Sequence, residues 1–302
     1  MSSSDRGENP EVTVKSLDFS SNGKCLATFE TLEDTHFDNK QIIVESLKIW
    51  EKETSDSEYV LKQFVHSPCG SVGAKSHIKF INDDKFLFAS GQKIVVWARI
   101  QYENEQKTNV TRWQIIHEFA YQNLPVAQII SGVNLRLTNC KKQDDKHVAI
   151  LHSSDNTSVL TFWNESNLQF SHAIVLNQVA KKVVFEKSHR YLAALTIKGG
   201  VEVWSVRGAH EAHQWDLNFK SVSDIQANTV RENQFFVLMN SEDNQGSSLD
   251  SVLLFQFSRP QNLVNFWKLL IPVTKMVFVS KRISTSGMKS SLMGILLLVN
   301  KN

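Results

Sequence analysis

The segment His210-Glu211-Ala212-His213 holds the residue types best suited to metal chemistry, since two imidazoles and a carboxylate fall within four positions. Zinc hydrolases that use such residues space them His-Glu-x-x-His on a helix, which places both imidazoles on one helix face. Here the second histidine comes one residue too early, and no helical pattern surrounds it. We therefore interpret this segment as a solvated loop and predict no metal site.

The signatures of phosphate and acyl chemistry are also missing from the sequence. Gly23-Lys24 would belong to a phosphate-binding loop if glycine stood five residues before Gly23, but that position is Asp18. No Gly-x-Ser-x-Gly elbow and no Gly-x-Gly-x-x-Gly loop occurs. The sequence thus predicts a protein that is not an enzyme and that uses no cofactor and no small-molecule substrate.

Basic residues form the remaining candidate site. Two short clusters could contact the phosphates of a nucleic acid or an acidic partner, because lysine and arginine release counterions when they bind phosphate. The alternative for these residues is a plain solvated surface, since the formal charge of the whole chain is +2 and does not itself name a partner. The candidates are Lys181, Lys182, Lys187 and Arg190 in the first cluster and Lys281 and Arg282 in the second.

Composition and cysteine usage place the chain among ordinary globular proteins. Of its 302 residues, 41% are hydrophobic and 21% are charged, which suffices for a buried core. The three cysteines are Cys25, Cys69 and Cys140, whose spacing matches neither a disulfide framework nor a zinc motif, so we expect reduced thiols. The longest apolar run, 294–299, is far shorter than the roughly 18 residues of a membrane-spanning helix, so we expect no membrane association.

Short alternating runs of β-branched and aromatic residues dominate the chain, and turn residues separate them. The first such unit has strands at Val12–Phe19, Lys24–Phe29, Ser46–Trp50 and Tyr59–Val65. Between the first two strands, Asn22-Gly23 predicts a tight hairpin turn, because both residues tolerate a positive φ. Four antiparallel strands in chain order are the expected result.

The same pattern returns along the chain and predicts an all-β fold of the β-propeller class. A tryptophan ends the third strand of four units, at positions 50, 97, 163 and 204, and the intervals of 47, 66 and 41 residues suit propeller blades with insertions. These indoles should be buried between blades. We predict a flexible segment at 1–10 and blades over 11–302, about five of them complete, with strands Val273–Ser280 and Ser291–Val299 starting a sixth.

Three stretches interrupt this pattern and are interpreted as polar loops that could carry partner contacts. They are Thr31–Val44, Tyr102–Arg112 and Ser241–Leu249. Because the last blade is incomplete, we also expect the chain to be a fragment of a larger propeller protein. The alternatives are a ring that stays open and a last blade that an earlier strand completes.

The hairpin VKSLDFSSNGKCLAT followed by ESLKIW resembles the WD40 repeat. The match is degenerate, since Trp50-Glu51, Trp97-Ala98, Trp163-Asn164 and Trp204-Ser205 stand where the family has Trp-Asp, and no Gly-His dipeptide precedes them. This departure puts in doubt the hydrogen-bonded side-chain tetrad of standard blades. The opening unit, with its insertion and its SLKIWEKETSDSEYVL segment, looks like the WD40 subunits of the UtpA (t-UTP) group of the small-subunit processome.

This resemblance implies a noncatalytic scaffold in the nucleus and nucleolus. Such a subunit would act in small ribosomal subunit biogenesis and pre-rRNA processing and would be linked to rRNA transcription. Its partners would be other WD40 and helical subunits of a large complex, with pre-rRNA as a further candidate. The alternatives are a WD40 adaptor of another complex, since one fold hosts many functions, and a propeller enzyme whose polar residues converge on a central channel.

Overall fold

The computed structural model describes residues 11–37, 40–54, 56–68, 75–103, 109–134, 146–206, 214–217, 222–232, 234–242, 248–257, 263–270 and 277–284. Over these residues the chain is all β, as the sequence predicts, and its strands form consecutive antiparallel sheets in a propeller-like arrangement. Among them no helix is long and apolar enough to cross a membrane. The predicted flexible segment 1–10 lies outside the described residues.

Sheets 1 and 2 are four-stranded antiparallel meanders in which neighbours in the chain are neighbours in the sheet. Sheet 1 consists of β1 (Glu11–Phe19), β2 (Cys25–Phe37), β3 (Lys40–Glu51) and β4 (Val60–His66). Sheet 2 consists of β5 (Ser76–Asn82), β6 (Lys85–Ser90), β7 (Lys93–Glu103) and β8 (Asn109–Phe119).

Sheets 3 and 4 repeat this order. Sheet 3 consists of β9 (Val126–Asn134), β10 (Lys146–Ser153), β11 (Ser158–Asn164) and β12 (Phe170–Leu176). Sheet 4 consists of β13 (Ala180–Phe185), β14 (Tyr191–Thr196), β15 (Val201–Ser205) and β16 (Gln214–Leu217). These two sheets confirm the third and fourth units that the sequence pattern predicts.

Sheet 5 has five strands, one more than the pattern predicts. It consists of β17 (Val222–Ala227), β18 (Gln234–Glu242), β19 (Ser248–Phe257), β20 (Leu263–Leu270) and β21 (Val277–Ser284). The segment assigned to a further blade therefore pairs with β20, because a short connection favours hairpin pairing with the preceding strand. The second predicted strand of that blade, Ser291–Val299, lies outside the described residues, and the number of blades stays a prediction.

The first hairpin shows how local sequence fixes strand register. Gly23 has a φ of 66°, in the left-handed region that glycine enters without steric cost. Its amide donates to the carbonyl of Ser20, and the amide of Ser20 donates to the carbonyl of Cys25. This turn sets Phe19 opposite Leu26 and thereby the register of the whole β1–β2 pair.

The chain divides into two compact units, the first formed by 1–132, 148–154 and 160–170 and the second by the remaining residues. In the first unit, sheet 1 packs on sheet 2 through large apolar side chains, including Phe29, Phe88 and Trp113. In the second unit, sheet 4 packs on sheet 5 through aliphatic residues around Phe235. Face-to-face packing of successive sheets buries the apolar surface that one sheet cannot cover alone.

Candidate functional site

The first basic cluster lies on β13 and in the β13–β14 turn of sheet 4, and its lysines contact β17 of sheet 5 and the turn that follows β17. The Nζ of Lys182 donates to Oδ1 of Asp224 at 2.7 Å, and both side chains are about one-third exposed. Burial alone would raise the pKa of Asp224, but the hydrogen bond from Lys182 is among the contacts that lower it overall. The charge of Lys182 is therefore largely neutralised within the protein.

Lys181 and Lys187 remain accessible, although each makes a contact. The Nζ of Lys181 donates to the carbonyl of Ser223 at 3.3 Å, and that of Lys187 donates to the carbonyl of Val230 at 3.1 Å. An ammonium group has three donors, so one bond to a carbonyl leaves two for another acceptor. These two exposed lysines keep the capacity to contact a phosphate.

Arg190 ends a tight turn that is organised by a buried carboxylate. Glu186 is fully buried, and its side chain accepts hydrogen bonds from the amides of Ser188 at 2.7 Å and Arg190 at 2.8 Å and from the Ser188 hydroxyl. A buried carboxylate is tolerated when several donors replace its water. Hydrogen bonds to the buried Glu186 carboxylate therefore hold the turn that carries Lys187 and Arg190 in place.

The second basic cluster is described by its backbone. Lys281 pairs with Phe266 and Arg282 pairs with Asn265 in the β20–β21 ladder. The side chains of Lys281 and Arg282 lie outside the described part of the structure. Phosphate or partner contact by either basic cluster stays a prediction.

Two sequence motifs resemble catalytic patterns, and the structure describes only one of them. Gly23-Lys24 lies in the β1–β2 turn, as the hairpin interpretation predicts. The segment His210–His213 lies outside the described residues. Within the residues that the structure describes, no three His, Cys, Asp or Glu side chains come together as a metal site.

The repeat tryptophans lie in the core, as predicted, except that Trp50 is half-buried. The side chains of Trp97, Trp163 and Trp204 are each less than a tenth exposed. Three of the indoles donate from Nε1 to an acceptor of their own sheet. The pairs are Trp50 with Thr28 Oγ1 at 3.3 Å, Trp163 with Thr161 Oγ1 at 2.9 Å and Trp204 with Glu202 Oε2 at 3.2 Å.

Trp163 belongs to a buried polar relay inside sheet 3. Besides accepting from Trp163, Thr161 Oγ1 lies 3.0 Å from Nε2 of His152, whose Nδ1 lies 3.4 Å from the carbonyl of Leu124. A bare Nδ1 would repel that carbonyl, so the proton belongs on Nδ1 and Nε2 is an acceptor. The one proton of the Thr161 hydroxyl is then shared between His152 Nε2 and the carbonyl of Ile150, 3.3 Å away. Burial lowers the pKa of His152 to about 4, which keeps this imidazole neutral at physiological pH.

The prediction of three polar loops is wrong over the residues that the structure describes, because it continues the neighbouring strands into each of them as a β-hairpin, whereas 38–39, 104–108 and 243–247 lie outside the described residues. The β2–β3 pairing extends to Phe37 opposite Lys40. The β7–β8 pairing extends to Glu103 opposite Asn109, and the β18–β19 pairing extends to Glu242 opposite Ser248. We call these extensions the ribbons. Ile100 and Tyr102 on the sheet 2 ribbon are exposed apolar side chains.

A small polar cleft of the second unit is a further candidate site among the described residues, and the sequence does not indicate it. Its volume is about 270 Å³. Three turns, after β10, β12 and β14, contribute its lining, so no single segment carries a recognisable motif. The lining residues are Asp155, Asn156, Asn177, Gln178, Val179, Ile197 and Lys198.

Comparison of the sequence with protein-family models and with curated proteins finds no match. We therefore base the functional assignment on the structure, which has successive antiparallel blades with ribbons that project from them.

Proposed function

We propose that this protein is a noncatalytic scaffold that holds other proteins on the ribbons and loops of its propeller blades. The observation that carries this proposal is the ribbon of sheet 2. β6 pairs with β7 as far as Lys85 opposite Ala98, whereas β8 follows β7 to Glu103, so the ribbon continues beyond β6 as two strands. Ile100 and Tyr102 on it are 36% and 41% exposed.

A ribbon of this kind suits protein recognition for physical reasons. Clustered exposed apolar side chains mark contact surfaces, because covering them releases water. The blade beneath is rigid, since its core residues Phe86 and Phe88 are fully buried. A rigid base reduces the conformational entropy that the ribbon loses when it binds.

The ribbon hypothesis is tested by replacing both Ile100 and Tyr102 with serine in the full-length chain. Proteins that co-purify with the wild type should be lost from this variant. Val230→Ser is the matched control, because Val230 is 76% exposed and belongs to the second compact unit, whereas the ribbon belongs to the first. An unchanged set of co-purifying proteins would reject the ribbon as the docking element.

Within this scaffold class, we place the protein in small ribosomal subunit biogenesis. The support is the sequence of its first blade, VKSLDFSSNGKCLAT with ESLKIW, which resembles the second propeller of the subunit known as Nan one or U three protein seventeen. That subunit belongs to the UtpA (t-UTP) group of the small-subunit processome. The proposed setting is the nucleolus, with WD40 and helical subunits as partners and roles in pre-rRNA processing and rRNA transcription.

Purification of the intact protein from cells tests this assignment. Processome subunits should be enriched over a purification from cells that lack the tagged protein. Enrichment of membrane-coat or ubiquitin-ligase components without processome subunits would overturn the ribosomal assignment and leave the scaffold proposal in place.

Direct RNA contact is a separate step of the proposal, assigned to Lys181 and Lys187. Titration of the protein with single-stranded RNA at several salt concentrations measures how many phosphates it neutralises. Each phosphate contact contributes a slope of about −0.7 to the plot of log affinity against log salt. Replacing both lysines with alanine should lower the slope accordingly, whereas the exposed Lys62→Ala on β4 should not. A wild-type affinity that does not change with salt would remove RNA contact from the proposal.

A further inference from the structure

The ribbon of sheet 2 has an unpaired strand edge, because β6 ends before β7 does. The β6–β7 ladder ends where Lys85 lies opposite Ala98. One more bond follows it, from the amide of Arg99 to the carbonyl of Asp84. β7 itself continues to Glu103 against β8. Beyond Arg99, one side of β7 therefore has no neighbouring strand among the described residues.

Alternation along β7 decides which backbone groups lie on this edge. In an antiparallel ladder, successive residues direct their N–H and C=O groups to opposite sides of the strand. Arg99 bonds towards β6, so Gln101 and Glu103 direct their groups to the same side, which is open. Ile100 and Tyr102 direct theirs to β8. Within the described part of the chain, Gln101 makes no hydrogen bond on its open side.

The outer edge of the same sheet is covered at the corresponding place. The side-chain amide of Gln63 on β4 donates to the carbonyl of Trp113 at 3.0 Å and accepts from the amide of Trp113 at 3.2 Å. These are the two bonds that a neighbouring strand would make, so Gln63 takes the place of a strand there. Open edges invite pairing with other chains unless they are covered in some such way. The Gln101 edge of β7 lacks this cover among the described residues.

One face of the ribbon is apolar next to the open edge. Ile100 and Tyr102 lie on this face and are 36% and 41% exposed. The register also puts two cations on it, since Lys85 pairs with Ala98 and Arg112 pairs with Ile100. A strand added to the edge would therefore cover Ile100 and Tyr102 best with apolar side chains, and basic side chains are disfavoured on this face.

The opposite face of the ribbon carries an unpaired carboxylate. Gln101 and Glu103 lie on this face, and both are exposed. Arg99 shares the face, but its guanidinium pairs with Asp84. Glu103 forms no ion pair with a described residue. A basic side chain on an added strand would compensate this charge.

We infer that an extended segment of a partner protein, in which basic and apolar side chains alternate, adds to the β7 edge as a third strand of the ribbon. This inference rests on the proposed scaffold function and names the way in which the ribbon holds its partner. Backbone bonds to Gln101 and Glu103 supply affinity, and the side chains on the two faces select the sequence. A basic residue across from Glu103 stabilises the pairing, since opposite charges on adjacent strands attract.

A second copy of this chain suits the edge less well. An antiparallel pair of ribbons centred on Gln101 would set Glu103 of one copy opposite Arg99 of the other. That position is taken, because Asp84 already lies opposite Arg99 and bonds to its amide. The segment that fits is one that ends or turns away before it reaches Arg99.

Two proline substitutions in the full chain test the inference. Gln101→Pro removes an N–H from the open edge, and Thr111→Pro is the matched control, because Thr111 pairs with Gln101 and directs its N–H to the other edge of the ribbon. Neither proline removes a bond of the β7–β8 ladder. The probe is a short fluorescent peptide in which valine alternates with lysine, and fluorescence anisotropy measures its binding.

The wild type should bind this peptide. Gln101→Pro should weaken binding at least about tenfold, whereas Thr111→Pro should change it by less than about twofold. A wild type that does not bind the peptide overturns the inference, and so does equal affinity of the wild type and Gln101→Pro.

Modified peptides give a test that does not depend on the folding of a variant. Methylating the amide nitrogens of alternate peptide residues removes the donors that face β7, so binding to the wild type should be lost. A peptide in which valine alternates with glutamate should bind more weakly than the lysine peptide, and Glu103→Lys should reverse this preference. A methylated peptide that binds like its parent overturns the inference, as does an unchanged preference in Glu103→Lys.

Purification of the variants from cells separates this inference from the scaffold proposal. Proteins that the double variant Ile100→Ser, Tyr102→Ser loses should also be lost from Gln101→Pro and kept by Thr111→Pro. If Gln101→Pro keeps them, the ribbon holds its partners by side chains alone, which overturns strand addition and leaves the scaffold proposal in place. If the double variant itself keeps them, the ribbon is not the docking element and both proposals for it are wrong.

Discussion

The indole Nε1–H of Trp113 donates to Oε1 of Glu51 at 2.7 Å, which joins sheet 2 to sheet 1. Trp113 is almost fully buried, and its backbone makes two further bonds with the side chain of Gln63. Arg99 lies 3.9 Å from the same carboxylate oxygen of Glu51 and pairs with Asp84. The Glu51 carboxylate therefore accepts a hydrogen bond from the buried Trp113 indole and forms an ion pair with the partly exposed Arg99 guanidinium.

Replacing Glu51 with alanine should destabilise the protein by about 1 to 3 kcal/mol, because the Trp113 donor would lose its partner. Urea unfolding followed by tryptophan fluorescence measures this change. Glu51→Gln keeps an acceptor and should cost less. Glu53→Ala is the control, since Glu53 is an exposed residue two positions away. Equal stability of the Glu51 and Glu53 alanine variants would show that the indole bond contributes little.

The turn around Glu186 gives a second prediction. Glu186→Ala removes the acceptor of two backbone amides and one hydroxyl in a buried position. We expect a loss of roughly 2 to 4 kcal/mol in the free energy of unfolding, more than for an ordinary surface change. Lys187→Ala in the same turn, with its exposed side chain, should change stability by less than about 0.5 kcal/mol.

Hydrogen exchange gives an independent measurement of the same change. The amides of Ser188 and Arg190 should exchange faster in Glu186→Ala than in the wild type. Unchanged exchange at both amides would contradict the role of the Glu186 carboxylate.

Gly23→Ala should destabilise the β1–β2 hairpin by about 1 kcal/mol, since alanine resists the φ of 66° that the turn requires. A Cβ at this position would meet no atom within 4 Å, so backbone strain and not a clash would account for the cost. Thermal unfolding measures the effect. Gly23→Asn, which tolerates a positive φ better, should be closer to the wild type. Equal losses for alanine and asparagine would contradict this explanation.

The strands and the first hairpin could be predicted from the sequence because local chemistry determines them. Asn22-Gly23 specifies the turn, and alternation marks a strand that has one face in the core. The sequence does not predict the ribbons, because a ribbon has no face in the core. On the sheet 2 ribbon the side chains of 100–103 are all exposed, so nothing requires apolar residues at alternate positions, and a polar residue such as Glu103 is typical of a loop.

The basic cluster illustrates a different limit. Lys182 and Asp224 are 42 residues apart and meet because sheet 4 packs on sheet 5. No local pattern shows such a pair, so a sequence reading treats Lys182 as a free cation. The exposed positions of Lys181 and Lys187, in contrast, agree with the surface role expected of lysine.

The relay through His152 predicts how stability depends on pH. The imidazole is fully buried, and its pKa is lowered from 6.5 to about 4 by burial. In the unfolded chain the same group binds a proton once the pH falls below 6.5, so between these values the unfolded state carries more protons. The free energy of unfolding should therefore be highest above pH 6.5 and should fall by up to about 1.4 kcal/mol per pH unit as the pH drops from 6.5 towards 4.

Three other imidazoles, one buried and two partly buried, act in the same direction, since burial also lowers the pKa of His77, His172 and His189. The contribution of His152 is therefore isolated by comparing wild type with His152→Gln in urea unfolding at a series of pH values. The variant should be less stable at neutral pH but should lose less stability on acidification, because its amide does not titrate. His117→Gln, at an exposed position on β8, is the control for replacing an imidazole outside the relay. If the free energy of unfolding fell equally with acidification in the wild type and in His152→Gln, the pKa of His152 would be the same in the folded and unfolded protein, and the prediction would be wrong.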